Sequence, residues 1–115
     1  MARNLHVAKV WQIEYECPGM NGGEEQDALY RILEMFGVDN SAEDICTDEF
    51  EVSRAGLQSL RGHITERDGV FREHVEKFNE ELEKTGMSRE KFIEVLDCLI
   101  NNSDQSDAYV HVSWY

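Results

Sequence analysis

Basic residues are scarce in this chain. Eleven Lys and Arg stand against 24 Asp and Glu, which gives a formal net charge of −13 over 115 residues. A field of this sign repels nucleic acid and anionic membranes, so the charge balance argues against direct binding to either. It favours instead a partner with a basic protein surface, a metal cation, or a role limited to solubility.

Cysteine, proline and long apolar runs are also scarce. The three cysteines, Cys17, Cys46 and Cys98, are odd in number and widely spaced, so neither a disulfide framework nor a zinc knuckle is predicted. No segment approaches the roughly 20 apolar residues of a membrane span. The first residues lack the apolar core of a signal peptide. We therefore expect a cytoplasmic protein with reduced thiols and no membrane contact.

The remaining composition is that of a folded protein. Hydrophobic residues make up 41% of the chain and aromatic residues 10%, more than an acidic disordered segment would carry. The single proline and eight glycines leave no room for a low-complexity linker. At this length one hydrophobic core is expected, so residues 1–115 are predicted to form one α+β domain.

Hydrophobic periodicity predicts the order of the elements. Alternation over residues 5–16 and 108–114 predicts one strand near each chain terminus, and 50–52 predicts a short strand between them. Turn residues at 17–19 are expected to end the first strand. Helical spacing and capping residues predict helices over 24–36, after Ser53, from Thr65 through 66–85, and from Ser88 to about residue 100.

These elements predict an α+β fold with a small, mostly antiparallel sheet. The sheet would have two or three strands, including both chain termini, with about four helices packed on one face. The last helix is apolar around much of its circumference, so it is expected at the centre of the core. In the last strand, alternation places Val110 and Val112 inward and Tyr109, His111 and Ser113 outward.

Two segments resemble ligand-binding motifs, but each lacks residues that the motif requires. The loop over 19–23 precedes a helix but lacks the lysine of a P-loop, and carboxylates at the helix start would repel phosphate. The segment 39–44 resembles the start of a calcium loop. Its sixth and twelfth positions hold Asp44 and Phe50 where glycine and glutamate are required. No motif predicts a catalytic residue, a cofactor or a metal site.

The acidic residues are not distributed evenly. On the helix over 66–85 they are interleaved with lysine, which is typical of a solvated face. Over 39–51 there is no Lys or Arg, so we expect compensation by a basic partner, by a cation, or by Arg54 and Arg61 folding back. The alternative is a polar loop that charge keeps soluble. The candidate partner-binding residues are Asp39, Glu43, Asp44, Asp48, Glu49 and Glu51.

The C-terminal strand is a second candidate surface. A small sheet has exposed edges, and an aromatic, β-branched edge strand is either covered or paired with another chain. A homodimer formed by sheet extension is one possibility, and an internally paired strand whose aromatic residues close the core is the other. The candidate interface residues are Tyr109, His111, Ser113 and Tyr115.

Three functions compete at this stage. The leading prediction is a non-enzymatic protein-binding module or inhibitor that acts on a basic partner, such as a protein that handles nucleic acid. The second is a homo-oligomeric structural domain that pairs through its terminal strands. The third is a metal-binding or acid–base enzyme, because His6 and His111 would come close on the solvent face if the terminal strands were neighbours.

Overall fold

A computed structural model describes the backbone of residues 4–10, 13–21, 24–42, 49–103 and 105–114, and side chains within 26–112 of those ranges. The described residues form four helices and four strands, so the α+β class and the predicted number of helices are confirmed. The elements in chain order are β1 (Asn4–Val10), β2 (Ile13–Asn21), α1 (Glu24–Met35), β3 (Glu49–Ser53), α2 (Arg54–Glu66), α3 (Gly69–Thr85), α4 (Arg89–Asn101) and β4 (Tyr109–Trp114).

The sheet has four strands in the order β2-β1-β4-β3, all antiparallel, where two or three were expected. The difference lies in residues 5–16, which were assigned to one strand. They divide between β1 and β2, which pair with Val10 opposite Ile13. Alternation with a period of two continues through a hairpin with a short connection, so the pattern alone does not show the reversal. The turn expected at 17–19 is wrong as well, because those residues lie within β2.

The C-terminal strand β4 lies inside the sheet. It pairs with β1, where Leu5 is opposite Trp114, and with β3, where Phe50 is opposite Val112. The two terminal strands therefore pair with each other within one chain. The edge strands are β2 and β3, so β4 does not offer the exposed edge on which the predicted sheet-extension dimer depended.

Capping residues define most helix boundaries as predicted. Ser53 and Ser88 accept hydrogen bonds from the backbone N–H groups of Gly56 and Lys91, each at 3.1 Å. The left-handed Gly37 ends α1: its N–H donates to the Glu34 carbonyl at 3.2 Å, a bond that belongs to the Schellman motif. Gly86 ends α3 in the same conformation.

One helix boundary was predicted wrongly. Thr65 does not open the long helix, because its hydroxyl donates to the carbonyl of Arg61 at 3.0 Å within α2. The chain turns at Arg67, which is left-handed, and Asp68 caps α3 by accepting the Phe71 N–H at 3.1 Å. Aspartate is a stronger N-cap than threonine, and here the neighbouring His63 also binds it.

The core lies between the helices and one face of the sheet. Val52, Val110 and Val112 are buried with the apolar residues of all four helices. Helix α4 buries six residues, Phe92, Val95, Leu96, Cys98, Leu99 and Ile100, as its apolar circumference predicted. Among the described residues, no helix is long and apolar enough to cross a bilayer.

Candidate interaction face on the sheet

The outer surface of β3 and β4 is polar and exposed. In β3, Phe50 and Val52 are buried while Glu49 and Glu51 are exposed. In β4 the outward residues Tyr109 and His111 are also exposed, as alternation predicted. Because the helices pack against the opposite side of these two strands, the charged side chains of β3 and β4 face solvent together.

A loop segment extends this surface beyond β3. The Ser53 N–H donates to the Asp39 carbonyl, and the Ser41 N–H donates to the Glu51 carbonyl, each at 2.8 Å. The Ser41 hydroxyl in turn accepts the Glu51 N–H at 2.8 Å. These bonds fix residues 39–41 along the outer edge of β3, so the carboxylate of Asp39 lies beside the sheet.

Close packing holds the start of this segment in place. Gly56, in the first turn of α2, lies directly against Val38, and a Cβ built at Gly56 would be 2.8 Å from the Val38 Cγ1. A side chain at position 56 would therefore displace Val38 and the residues that follow it. Because glycine has no side chain, Gly56 thus leaves room for Val38, and the residues 39–41 that follow can lie against β3.

Asp39 and Tyr109 form a hydrogen bond across this surface. The Tyr109 hydroxyl donates to Oδ2 of Asp39 at 2.7 Å, although the residues are 70 positions apart in the chain. The hydrogen bond, followed by the negative charge of Asp39, raises the pKa of Tyr109 because both favour the protonated phenol. Tyr109 stays 37% exposed as a residue, so it presents an aromatic surface among carboxylates.

His111 lies between two carboxylates. Its Nδ1 is 3.2 Å from Oε1 of Glu51, its direct cross-strand neighbour, and its Nε2 is 3.0 Å from Oδ2 of Asp107. A neutral imidazole carries one N–H, so both contacts are hydrogen bonds at the same time only when the ring is protonated. His111 therefore connects Glu51 of β3 to Asp107 in the turn before β4.

Asp107 is held by the strand that follows it. Its Oδ1 accepts the Tyr109 N–H at 3.0 Å, in the local pattern that Asp side chains form with the backbone two residues on. This backbone hydrogen bond, followed by the one to His111, lowers the pKa of Asp107 because both stabilise the carboxylate. Asp107 is therefore poised to remain ionised beside His111.

We call this surface the acidic face. Four carboxylates surround one tyrosine and one histidine, and where side chains are described Glu51 contacts no basic residue other than His111. Among the described residues, no Lys or Arg forms an ion pair with Asp39, Glu49 or Glu51. The acidic face consists of Asp39, Glu49, Glu51, Asp107, Tyr109 and His111.

Neither of the two arginines expected to compensate the acidic stretch forms an ion pair with its described carboxylates, Asp39, Glu49 and Glu51. Arg61 forms a two-pronged ion pair with Asp97 of α4. The Arg54 guanidinium donates to the carbonyl of Ile100 at 2.7 Å and to that of Asp107 at 3.1 Å.

The structure joins residues that the sequence had assigned to two surfaces. Asp39, Glu49 and Glu51, predicted to bind a partner, lie beside Tyr109 and His111, predicted to form a dimer interface. Asp107 was missed, although an aspartate two residues before a strand is a signal for such a turn. The predicted residues Glu43, Asp44, Asp48 and Tyr115, and the side chain of Ser113, lie outside what the structure describes.

The predicted histidine pair is only partly placed. His6 of β1 is paired with Ser113, two residues from His111, so the terminal strands are neighbours as that prediction required. The side chain of His6 lies outside the described part of the structure. Where side chains are described, no group of three or more His, Cys, Asp or Glu residues is arranged to hold a metal ion.

The lowered pKa of Asp107 predicts a pH dependence of stability. Its pKa is lower in the folded protein than the roughly 3.9 of an unfolded aspartate, so its contribution is complete above that value and is lost as pH falls through the folded pKa. We expect His111→Gln to raise the Asp107 pKa only part of the way toward that of an unfolded aspartate, because the hydrogen bond from the Tyr109 N–H remains. Carbon NMR titration of the carboxyl measures this, and an unchanged Asp107 pKa in His111→Gln would contradict the contact.

Comparison with known proteins identifies no relative: no family model matches the chain, and no curated protein or solved structure is significantly similar to it.

Proposed function

We propose that the protein is a non-enzymatic, cytosolic binding module that recognises a basic surface on another protein through the acidic face. The observation that carries this proposal is the lack of Lys and Arg partners for the described carboxylates on and beside β3. Asp39, Glu49 and Glu51 have no Lys or Arg partner among the described residues, while Arg61 forms an ion pair elsewhere. Like charges held together in this way cost folding stability, and a basic partner would relieve their repulsion.

The shape and chemistry of the acidic face support a protein ligand. It lies on paired strands and a fixed loop, so its carboxylates are positioned before a partner arrives, which lowers the entropic cost of binding. The Tyr109 ring provides a rigid aromatic contact of the kind enriched in interfaces. Lysine and arginine side chains of a partner would bond the carboxylates, and a nucleic-acid-handling protein is one source of such a surface.

The test is a matched pair of charge variants. The first variant carries Asp39→Asn, Glu49→Gln and Glu51→Gln on the acidic face. The control also removes three negative charges, but from the exposed side of α3, through Glu73→Gln, Glu76→Gln and Glu80→Gln. Wild type and both variants are used to capture partners from native lysate at low and moderate salt, and the captured proteins are identified by mass spectrometry.

We expect one or more basic proteins to be captured by wild type and by the α3 control and lost with the acidic-face variant. The affinity of the purified pair should fall by about tenfold or more, since three charge contacts of about 0.5 kcal/mol each are removed. Binding of wild type should weaken steeply with salt. Equal capture by all three proteins, or an equal loss in both variants, would show that the acidic face is not the binding surface.

A further inference from the structure

On the helical side of the molecule, a groove runs along α3 beside the α2–α3 corner. It has a volume of about 570 Å³, within the range of small-molecule sites. Its apolar wall comes from Phe71, which is buried, and Val75, which packs against the core. The groove is lined by Arg67, Phe71, Arg72, Val75, Asn79, Arg89 and Glu90.

The groove concentrates positive charge in a strongly acidic protein. Three of the 11 Lys and Arg residues of the chain line it, against one carboxylate, Glu90. Arg89 is 3.7 Å from that carboxylate. Arg67 and Arg72 form no ion pair with any other described residue, although the chain has 24 acidic residues. Two exposed guanidinium groups are thus left available in the groove.

The backbone of Arg67 adds an independent observation. Arg67 has φ 51° and ψ 47°, and it is the one non-glycine residue with positive φ in the described part of the chain. The residues that end α1 and α3 in this conformation are Gly37 and Gly86. A side chain here costs about 1–2 kcal/mol. Residues held in such strained conformations are concentrated at functional sites. An arginine in place of glycine at position 67 therefore indicates that its guanidinium has a function in the groove.

We infer that this groove binds a small organic oxyanion, in which a phosphate or carboxylate is joined to an apolar group. The planar guanidinium groups of Arg67, Arg72 and Arg89 match the oxygens of such an anion, and Phe71 and Val75 contact its apolar part. A nucleic acid strand is disfavoured because the net charge of −13 repels a polyanion, whereas one short anion is held within the local positive field.

The experiment titrates the full-length protein with phenyl phosphate, benzoate and inorganic phosphate and follows the backbone amide NMR signals. Shifts are expected at residues 67–79 and 89–90. Phenyl phosphate or benzoate should bind with a Kd near or below about 1 mM, and inorganic phosphate about tenfold more weakly because it lacks the apolar group. The stronger of the two aromatic probes identifies the anion that the site prefers.

Two variants and one control decide the assignment. Arg72→Gln should weaken binding of the preferred probe by about tenfold, whereas Lys77→Gln, which removes one exposed positive charge from α3 outside the groove, should leave it unchanged. Arg67→Gly should weaken binding by a similar factor while the Tm stays at or above that of wild type, because glycine relieves the left-handed strain. A purely structural arginine would instead lose stability without loss of binding.

Two results would overturn the inference: no localised shifts with any probe up to about 10 mM, or equal weakening by Arg72→Gln and Lys77→Gln. Neither of them bears on the acidic face, which lies on β3 and β4.

Discussion

Replacing Phe78 with alanine is expected to lower the free energy of unfolding by about 3–5 kcal/mol. Phe78 is fully buried, and its ring meets three other rings edge-on. The centroid distances are 6.3 Å to Phe36, 5.4 Å to Phe71 and 5.7 Å to Phe92. These residues come from the turn that follows α1, from α3 and from α4, so the cavity would weaken contacts that join three helices. Since domains have about 5–15 kcal/mol in total, much of the stability would be lost.

Two variants separate the cavity from other effects of the substitution. Phe78→Leu keeps most of the apolar volume and loses the ring contacts, so it should cost clearly less than alanine, about 1–2 kcal/mol. Val70→Ala removes an exposed apolar side chain from the same helix and should stay within about 0.5 kcal/mol of wild type. Urea unfolding followed by circular dichroism measures all three. A loss for Phe78→Ala no larger than for Val70→Ala would contradict the packing described for the core.

Local signals in the sequence were sufficient for most of the helical part. The hydroxyls of Ser53 and Ser88 and the left-handed Gly37 and Gly86 act within one turn of the chain, so their residue types reveal their roles directly. The α2–α3 boundary was missed because Thr65 and Asp68 are both capable caps, and the choice depends on the contact of Asp68 with His63. Tertiary contacts of this kind leave no local pattern.

In the sheet, local sequence signals were sufficient for less of the structure. Alternation identifies which β4 residues are buried, because it is a property of each strand alone. It does not show the reversal between Val10 and Ile13 or the position of β4 between β1 and β3, because strand order depends on contacts between distant segments. For the same reason, the sequence could identify the carboxylates of residues 39–51 and the exposed Tyr109, but not the 2.7 Å contact that joins them.

The second large effect is expected at Arg54, which connects the core to the acidic face. Its Nη1 donates to the buried Ser103 hydroxyl at 2.7 Å, and its Nε donates to the Asp107 carbonyl at 3.1 Å. Charged hydrogen bonds of this kind contribute about 1.5–3 kcal/mol. The Ile100 carbonyl, also a partner of Arg54, keeps a hydrogen bond from Gln105 in its absence. We therefore expect Arg54→Met, which preserves the aliphatic stem, to cost about 2–4 kcal/mol.

The consequence for the acidic face distinguishes this role from simple packing. With Arg54→Met the loop before β4 loses the bond at the Asp107 carbonyl, so the carboxylate of Asp107 should hold the Tyr109 N–H and His111 less firmly. The pKa of Asp107 should then rise toward that of an ordinary aspartate, because these hydrogen bonds weaken and because the nearby positive charge of Arg54 is removed. Arg54→Lys keeps the positive charge, which is the smallest of the causes that lower the Asp107 pKa. A single ammonium cannot span the separated acceptors, so lysine should restore little of the lost stability or of the lowered Asp107 pKa. Wild-type stability and an unchanged Asp107 pKa in Arg54→Lys would show that the positive charge, and not the shape of the guanidinium, positions this loop.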